Sequence, residues 1–124
     1  MEFSDHKAIY LQIAEFVCEH ILLEEWKADE KVPSVRELAV NLEVNPNTVM
    51  RTYELLQSKS IIHNKRGIGF FLAENAIAKV KEYRKTTFME DELPYLFRNI
   101  YLLNIDFEEL QSRYQTFVEQ NFKA

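Results

Sequence analysis

The sequence predicts a mainly α-helical protein with one small β-hairpin. Three observations carry that reading. Apolar residues recur at three- and four-residue spacing through most of the chain, which is the period of a helix. Two helix-start signatures, Ser34-Val35-Arg36-Glu37 and Asn45-Pro46, follow closely on one another. Both glycines of the chain, Gly67 and Gly69, stand together between two short apolar runs, as the turn of a hairpin demands.

Bulk properties set the frame. A length of 124 residues fits one domain, or one small domain with an appendage. Apolar residues make up 47% and charged residues 28%, which is globular composition. No apolar run approaches the roughly 18 residues of a membrane span. The start, MEFSDHKAIY, lacks the basic segment and apolar stretch of a signal peptide. Cys18 is the single cysteine, so no internal disulfide can form and a reducing compartment fits. These features point to the cytoplasm.

Net charge is −5, which argues against bulk affinity for nucleic acid, but the charge is uneven. Residues 1–30 sum to −6, and residues 31–70 to +3. Screening in physiological salt acts over about 8–10 Å, so the local sign governs a binding face.

The first helix is expected over residues 8–24, with Ile9, Ile13, Phe16, Val17 and Ile21 on its apolar side. Ser4 or Asp5 can cap its start. Trp26 and Val32 flank a polar turn that Pro33 ends. Ser34 and Glu37 form a capping box, and Val35, Leu38, Ala39 and Leu42 face inward on the short helix that follows. Asn41 to Val44 reads as a tight connection. Asn45 caps a further helix to about Lys59, with Pro46 at its first position. Val49, Tyr53 and Leu56 form its inner stripe, and Asn47, Arg51 and Glu54 its outer side. Two short helices joined this closely are a helix-turn-helix.

Ile61–His63 and Phe70–Leu72 suit strands, with Asn64 to Gly69 between them as the hairpin turn. A hairpin directly behind a helix-turn-helix is a wing. Beyond Asn75 the pattern is helical again, with a kink or break expected near residues 89–93 from Pro94. Asp106-Phe107-Glu108-Glu109 resembles a second capping box, opening a last helix that carries Phe107, Leu110, Tyr114, Phe117 and Val118. The expected domains are 1–74, a winged helix-turn-helix, and 75–124, a short two-helix tail.

The outer face of the second short helix carries the first candidate chemistry. Its N-terminal end is the part that enters a major groove in this motif. Arg51 can pair with the O6 and N7 edge of guanine, and Asn47 with the N6 and N7 edge of adenine. Thr48 and Ser34 can reach phosphates, as can the amides at both helix starts. Arg36 projects from the supporting helix. On the wing, Lys65 and Arg66 can follow phosphates or read groove width, and the missing side chains at Gly67 and Gly69 permit close approach.

The run YLQIAEFVCEHILLEEWKADEKVPSVRELAVNLEVNPNTVMRTYELLQSKSIIHNKRGIGFFL resembles the winged helix-turn-helix domain of GntR-family bacterial transcription factors. The likeness covers roughly residues 6–73 and is carried by VPSVRELA, VNPNTVMRTYELL and KRGIGFF. The VNPNT form and the short tail resemble the YtrA-like subfamily. The resemblance implies DNA contacts from Arg36, Asn45, Asn47, Thr48 and Arg51, with Lys65, Arg66 and Gly67 as wing contacts. Three departures stand out. Ala28-Asp29-Glu30 replaces the family's Pro-Gly-Asp. Pro46 stands where many members place Arg. Ser60 stands where Gly often ends the recognition helix, so that helix end is expected to be distorted.

The tail is too short to enclose a metabolite cavity of a few hundred Å3. Its aromatic residues, Tyr83, Phe88, Tyr95, Phe97, Tyr101, Phe107, Tyr114 and Phe117, either pack on the winged domain or close against a two-fold mate. The subfamily resemblance favours a homodimer through these helices. Such a dimer on double-stranded DNA implies a palindromic operator. The leading expectation is a DNA-binding transcriptional regulator that acts as a repressor. The rival is a winged-helix protein-interaction module that does not bind DNA. His6, His20, His63 and Cys18 show no metal-ligand spacing, and no cofactor, nucleophile–base pair or enzyme activity is expected. Whether an effector binds is open.

Overall fold

The computed structural model describes residues 1–3 and 7–123. It divides into two compact units, Met1–Lys85 and Thr86–Ala124. The first unit holds α1 (Ile9–Leu22), α2 (Val35–Leu42), α3 (Pro46–Ser58), β1 (Ile62–Lys65), β2 (Gly69–Leu72) and nearly all of α4 (Ala76–Thr87). It therefore reaches further along the chain than the expected boundary at residue 74.

Helix α1 lays Ile13, Ala14, Val17, Cys18 and Ile21 into the core, all fully buried. Its expected caps, Ser4 and Asp5, lie outside the described residues; the N-cap position is Ala8. Ile9, expected on the inner side, is exposed. α2 starts at the Ser34–Glu37 capping box, with both reciprocal bonds at 3.1 Å. α3 starts with the Asn45 side chain accepting from the Asn47 amide at 2.8 Å, and Pro46 follows in its first turn. Val49, Tyr53 and Leu56 are fully buried, as the pattern requires. Burying a side chain of this size contributes roughly 1.5–3 kcal/mol.

The sheet is larger than a bare hairpin. β1 and β2 pair antiparallel, with Ile62 opposite Leu72 and Lys65 opposite Gly69. The strands thus run further towards the turn than expected, leaving only Arg66, Gly67 and Ile68 as the loop. The Ile68 amide donates to the Lys65 carbonyl at 2.9 Å. Gly67, with φ of 80°, supplies the positive dihedral at the third position of that turn. On its other side β2 is bridged by residues 29–32. The Val32 amide donates to the Phe70 carbonyl, and the Leu72 amide to the Glu30 carbonyl, each at 2.9 Å.

Four helices end in the same way without glycine. After α3 the Ser60 amide donates to the Gln57 carbonyl, and the Ile61 amide to the Leu56 carbonyl, each at 3.0 Å. That is a Schellman motif, with Ser60 left-handed at φ 61° and the two apolar partners, Leu56 and Ile61, both fully buried. The distortion expected from Ser60 is absent because the sequence accepts the strained dihedral instead. Glu24, Glu43 and Asn104 take the same role after α1, α2 and α5 (Leu93–Leu102), with φ of 59°, 57° and 53°. A left-handed non-glycine residue costs roughly 1–2 kcal/mol. Ser60→Gly is therefore expected to raise stability, by up to about 1 kcal/mol once the entropy of glycine is deducted, in urea unfolding.

The second unit contains a π-helical turn (Phe88–Glu92), α5 and α6 (Phe107–Asn121). The interruption expected around Pro94 takes the form of that wide turn, after which Pro94 sits in the first turn of α5, where a missing amide is tolerated. Asp106 caps α6 by accepting from the Glu108 amide at 3.0 Å. The expected capping box does not close. The Glu109 carboxylate accepts from Arg113 Nε at 3.1 Å, one helical turn on, instead of reaching back.

Candidate nucleic-acid interface

The α3 surface is built by a strict division of neighbours. Val49, Thr52, Tyr53 and Leu56 are buried, while Asn47, Arg51 and Glu54 are exposed, as expected. Thr52 was not singled out by its pattern, yet its hydroxyl is fully enclosed. It donates to the Tyr10 carbonyl, at 2.8 Å, or to the Thr48 carbonyl at 3.3 Å. The first of these bonds ties the start of α1 to the middle of α3.

That tie brings a further residue into the site. The Arg51 guanidinium lies over the Tyr10 ring, 3.9 Å from its centroid. Ala8, Ile9, Tyr10, Asn47, Thr48 and Arg51 together line an open concavity of about 390 Å3. Asn47 and Arg51 thus share one wall with the half-buried Thr48. No local signal in the sequence links Tyr10 to Arg51, since the contact depends on how α1 packs against α3.

The supporting residues differ in freedom. Asn45 uses its side-chain oxygen on its own helix start, so its amide group is what it can offer a ligand. The Ser34 oxygen likewise accepts the Glu37 amide but retains a donor proton. Glu37 is held below the usual carboxylate range by the Ser34 amide and then the Ser34 hydroxyl. Arg36, in the first turn of α2, is exposed.

On the wing, Arg66 and Gly67 form the exposed tip, and a Cβ added at Gly67 would meet nothing within 4 Å. Gly69 differs. A Cβ there would stand 2.8 Å from the Lys31 side chain, so Lys31 and not open space covers this glycine. Of the two glycines, Gly67 is therefore the one that stands in open space. Lys65 extends back over the Phe71 ring, with its ammonium 4.1 Å from the centroid. Three exposed cationic side chains, Lys31, Lys65 and Arg66, thus stand on the hairpin and on the segment bridged to it. Tyr53 joins the wing to α3, since its ring meets Phe70 edge-on at 5.1 Å.

Two further reactive groups, Cys18 and His20, are held within the structure. Cys18 is fully buried, and burial pushes its thiol up to about 11, so it stays protonated near neutrality. His20 bonds to Glu25 and stacks on Trp26. Among the described residues no helix is long and apolar enough to cross a membrane.

A buried three-helix core, an exposed helix face that presents Asn47 and Arg51, and a basic hairpin behind it define a winged helix-turn-helix of the nucleic-acid-binding class. The family model described as bacterial regulatory proteins, gntR family, matches residues 9–72, and the chain belongs to that family of DNA-binding transcriptional regulators. It is 34% identical over 118 residues to the HTH-type transcriptional regulator YhcF of Bacillus subtilis, covering 95% of this chain and 96% of that one. It is 36% identical over 102 residues to the HTH-type transcriptional repressor YtrA of the same organism, covering 82% and 78%. A solved GntR-family transcriptional regulator from Listeria monocytogenes superposes with a TM-score of 0.76 at 32% identity, covering 92% of this chain and 98% of that one.

Proposed function

We propose that the chain is a transcriptional repressor that binds a palindromic operator as a homodimer in the cytoplasm. Arg51 and Asn47 read base edges in the major groove, and Arg36 supports them. Ser34, Asn45 and Thr48 meet the sugar-phosphate ridge, while Lys65, Arg66 and Gly67 engage it from the wing. The observation that carries this reading is the outward presentation of Asn47 and Arg51 on a helix whose opposite face is fully buried. Among the described residues no carboxylate pairs with Arg51, so its hydrogen-bonding edges are available for a base. Repression is supported by the likeness to YtrA. Dimer formation is supported by the second unit, whose Phe97, Tyr101, Phe107, Tyr114 and Phe117 are all exposed in the single chain.

The test is selection of duplexes from a randomised pool, followed by gel shift. A palindromic consensus is expected. Binding should weaken by roughly a thousandfold or more between about 50 and 200 mM salt if the dimer makes six or more phosphate contacts. Arg51→Ala and Arg36→Ala are each expected to cost about 1–3 kcal/mol on the selected duplex. No enrichment of any duplex would favour the protein-interaction reading, and unchanged affinity in both variants would remove the assigned roles.

A further inference from the structure

We propose that Tyr10 is a positioning residue for base recognition, holding the Arg51 guanidinium on its ring so that the arginine reaches the groove already oriented. This rests on the reading of Arg51 as a base reader. A guanidinium has two separable surfaces. Its flat face stacks on an aromatic ring, and its edge carries the N–H fork that pairs with guanine. With its Cζ 3.9 Å above the ring centroid, the guanidinium of Arg51 is held by an aromatic surface, which uses none of its N–H groups as a carboxylate would. An ion pair with a carboxylate would do the opposite, and among the described residues Arg51 has none.

The placement of the ring is itself fixed. Thr52, next in sequence to Arg51, donates to the Tyr10 carbonyl at 2.8 Å from a fully buried position. The Gln12 side chain donates to the Lys7 carbonyl at 2.7 Å, tying the first turn of α1 to the residues before it. One residue of α3 thus anchors the Tyr10 backbone, and its neighbour receives the Tyr10 ring. An arginine free in solvent loses rotamer entropy when it binds, and an arginine already stacked loses less. The benefit appears only on duplexes where Arg51 makes its paired bonds, so Tyr10 tunes specificity more than general affinity.

The experiment uses the full chain and its selected duplex, together with duplexes altered at each base pair. Wild type, Tyr10→Phe, Tyr10→Leu, Arg51→Ala and the Tyr10→Leu/Arg51→Ala double variant are compared. Tyr10→Phe keeps the ring and should behave as wild type. Tyr10→Leu should lose roughly three- to tenfold on the selected duplex, confined to the base pairs whose preference Arg51→Ala also relaxes. In the Arg51→Ala background it should change nothing further.

Equal weakening on every duplex, in both backgrounds, would overturn the proposal, because that is the mark of a backbone contact or of damage to the fold. Tighter binding by Tyr10→Leu would overturn it too, showing the ring to be a resting place that Arg51 must leave. So would a Phe variant that behaves like Leu. Arg51→Ala with unaltered base preference would sink the base-reading role and this proposal with it. Relaxed preference in Arg51→Ala beside an unaltered Tyr10→Leu would sink the positioning role alone.

Discussion

Tyr53→Ala is expected to destabilise the winged unit by about 3–5 kcal/mol in urea unfolding, the range for removing a buried aromatic side chain. Native domains are stable by only about 5–15 kcal/mol, so this one change brings the unit close to unfolding. Three contacts explain why the site is so sensitive. The ring is fully buried against the core of α1, α2 and α3. It meets Phe70 of the wing edge-on, at 5.1 Å between centroids. Its hydroxyl donates to the Pro33 carbonyl at 2.6 Å, directly before the α2 cap. Burial raises its pKa, so the hydroxyl remains a donor at neutral pH. One side chain therefore sets the relation of recognition helix, supporting helix and wing. Tyr53→Phe separates the parts of this effect. It keeps the ring and strips the Pro33 carbonyl of its partner, which should cost about 1–2 kcal/mol. A loss below about 1 kcal/mol in the alanine variant would mean that the three elements are held by something else.

Local chemistry made the helix-turn-helix legible. Ser34 with Glu37, and Asn45 with Pro46, fix helix starts through bonds spanning two or three residues, so their meaning does not depend on the rest of the fold. The inner stripe of α3 was equally legible, because a helical period needs only sequence spacing. What was not legible depended on distance. The pairing of residues 29–32 with β2 joins segments far apart in sequence, and Lys31 covers Gly69 only because of it. The Tyr10–Arg51 stack has the same origin. Thr52 looked like an ordinary polar helix residue, and its burial follows from the carbonyl that α1 brings to it. The helix ends were hidden for a different reason. Glycine is the usual signal for a left-handed cap, and this chain places Glu24, Glu43, Ser60 and Asn104 there instead. The apolar stripe of the tail was visible, but periodicity does not distinguish a face buried within the chain from one left exposed.

Tyr114→Glu combined with Phe117→Glu is expected to convert a dimer to a monomer in sedimentation and to lower affinity for a two-half-site operator by about 100-fold or more. The argument starts from exposure. Tyr114 and Phe117 are 67% and 55% exposed, and Phe107, at 65%, lies two turns before Tyr114 on the same side of α6. Within the second unit Ile100, still 8% exposed, is the one large apolar side chain among the described residues that is buried. An aromatic stripe of this width left in water is a marker of an interaction surface. The proposed occupant is a second copy of the same helices, because a two-fold contact doubles every apolar residue that the stripe supplies. Coupling two winged units converts the second DNA contact into an intramolecular event, which is where the large factor arises. Affinity for a single half-site should stay the same, since the substitutions touch no residue assigned to DNA. That contrast makes the test decisive. A wild-type chain that sediments as a monomer at tens of micromolar removes the dimer. A double variant that stays dimeric moves the interface off α6. Equal loss on one and two half-sites would mean that the tail acts on the winged unit itself and not through a mate.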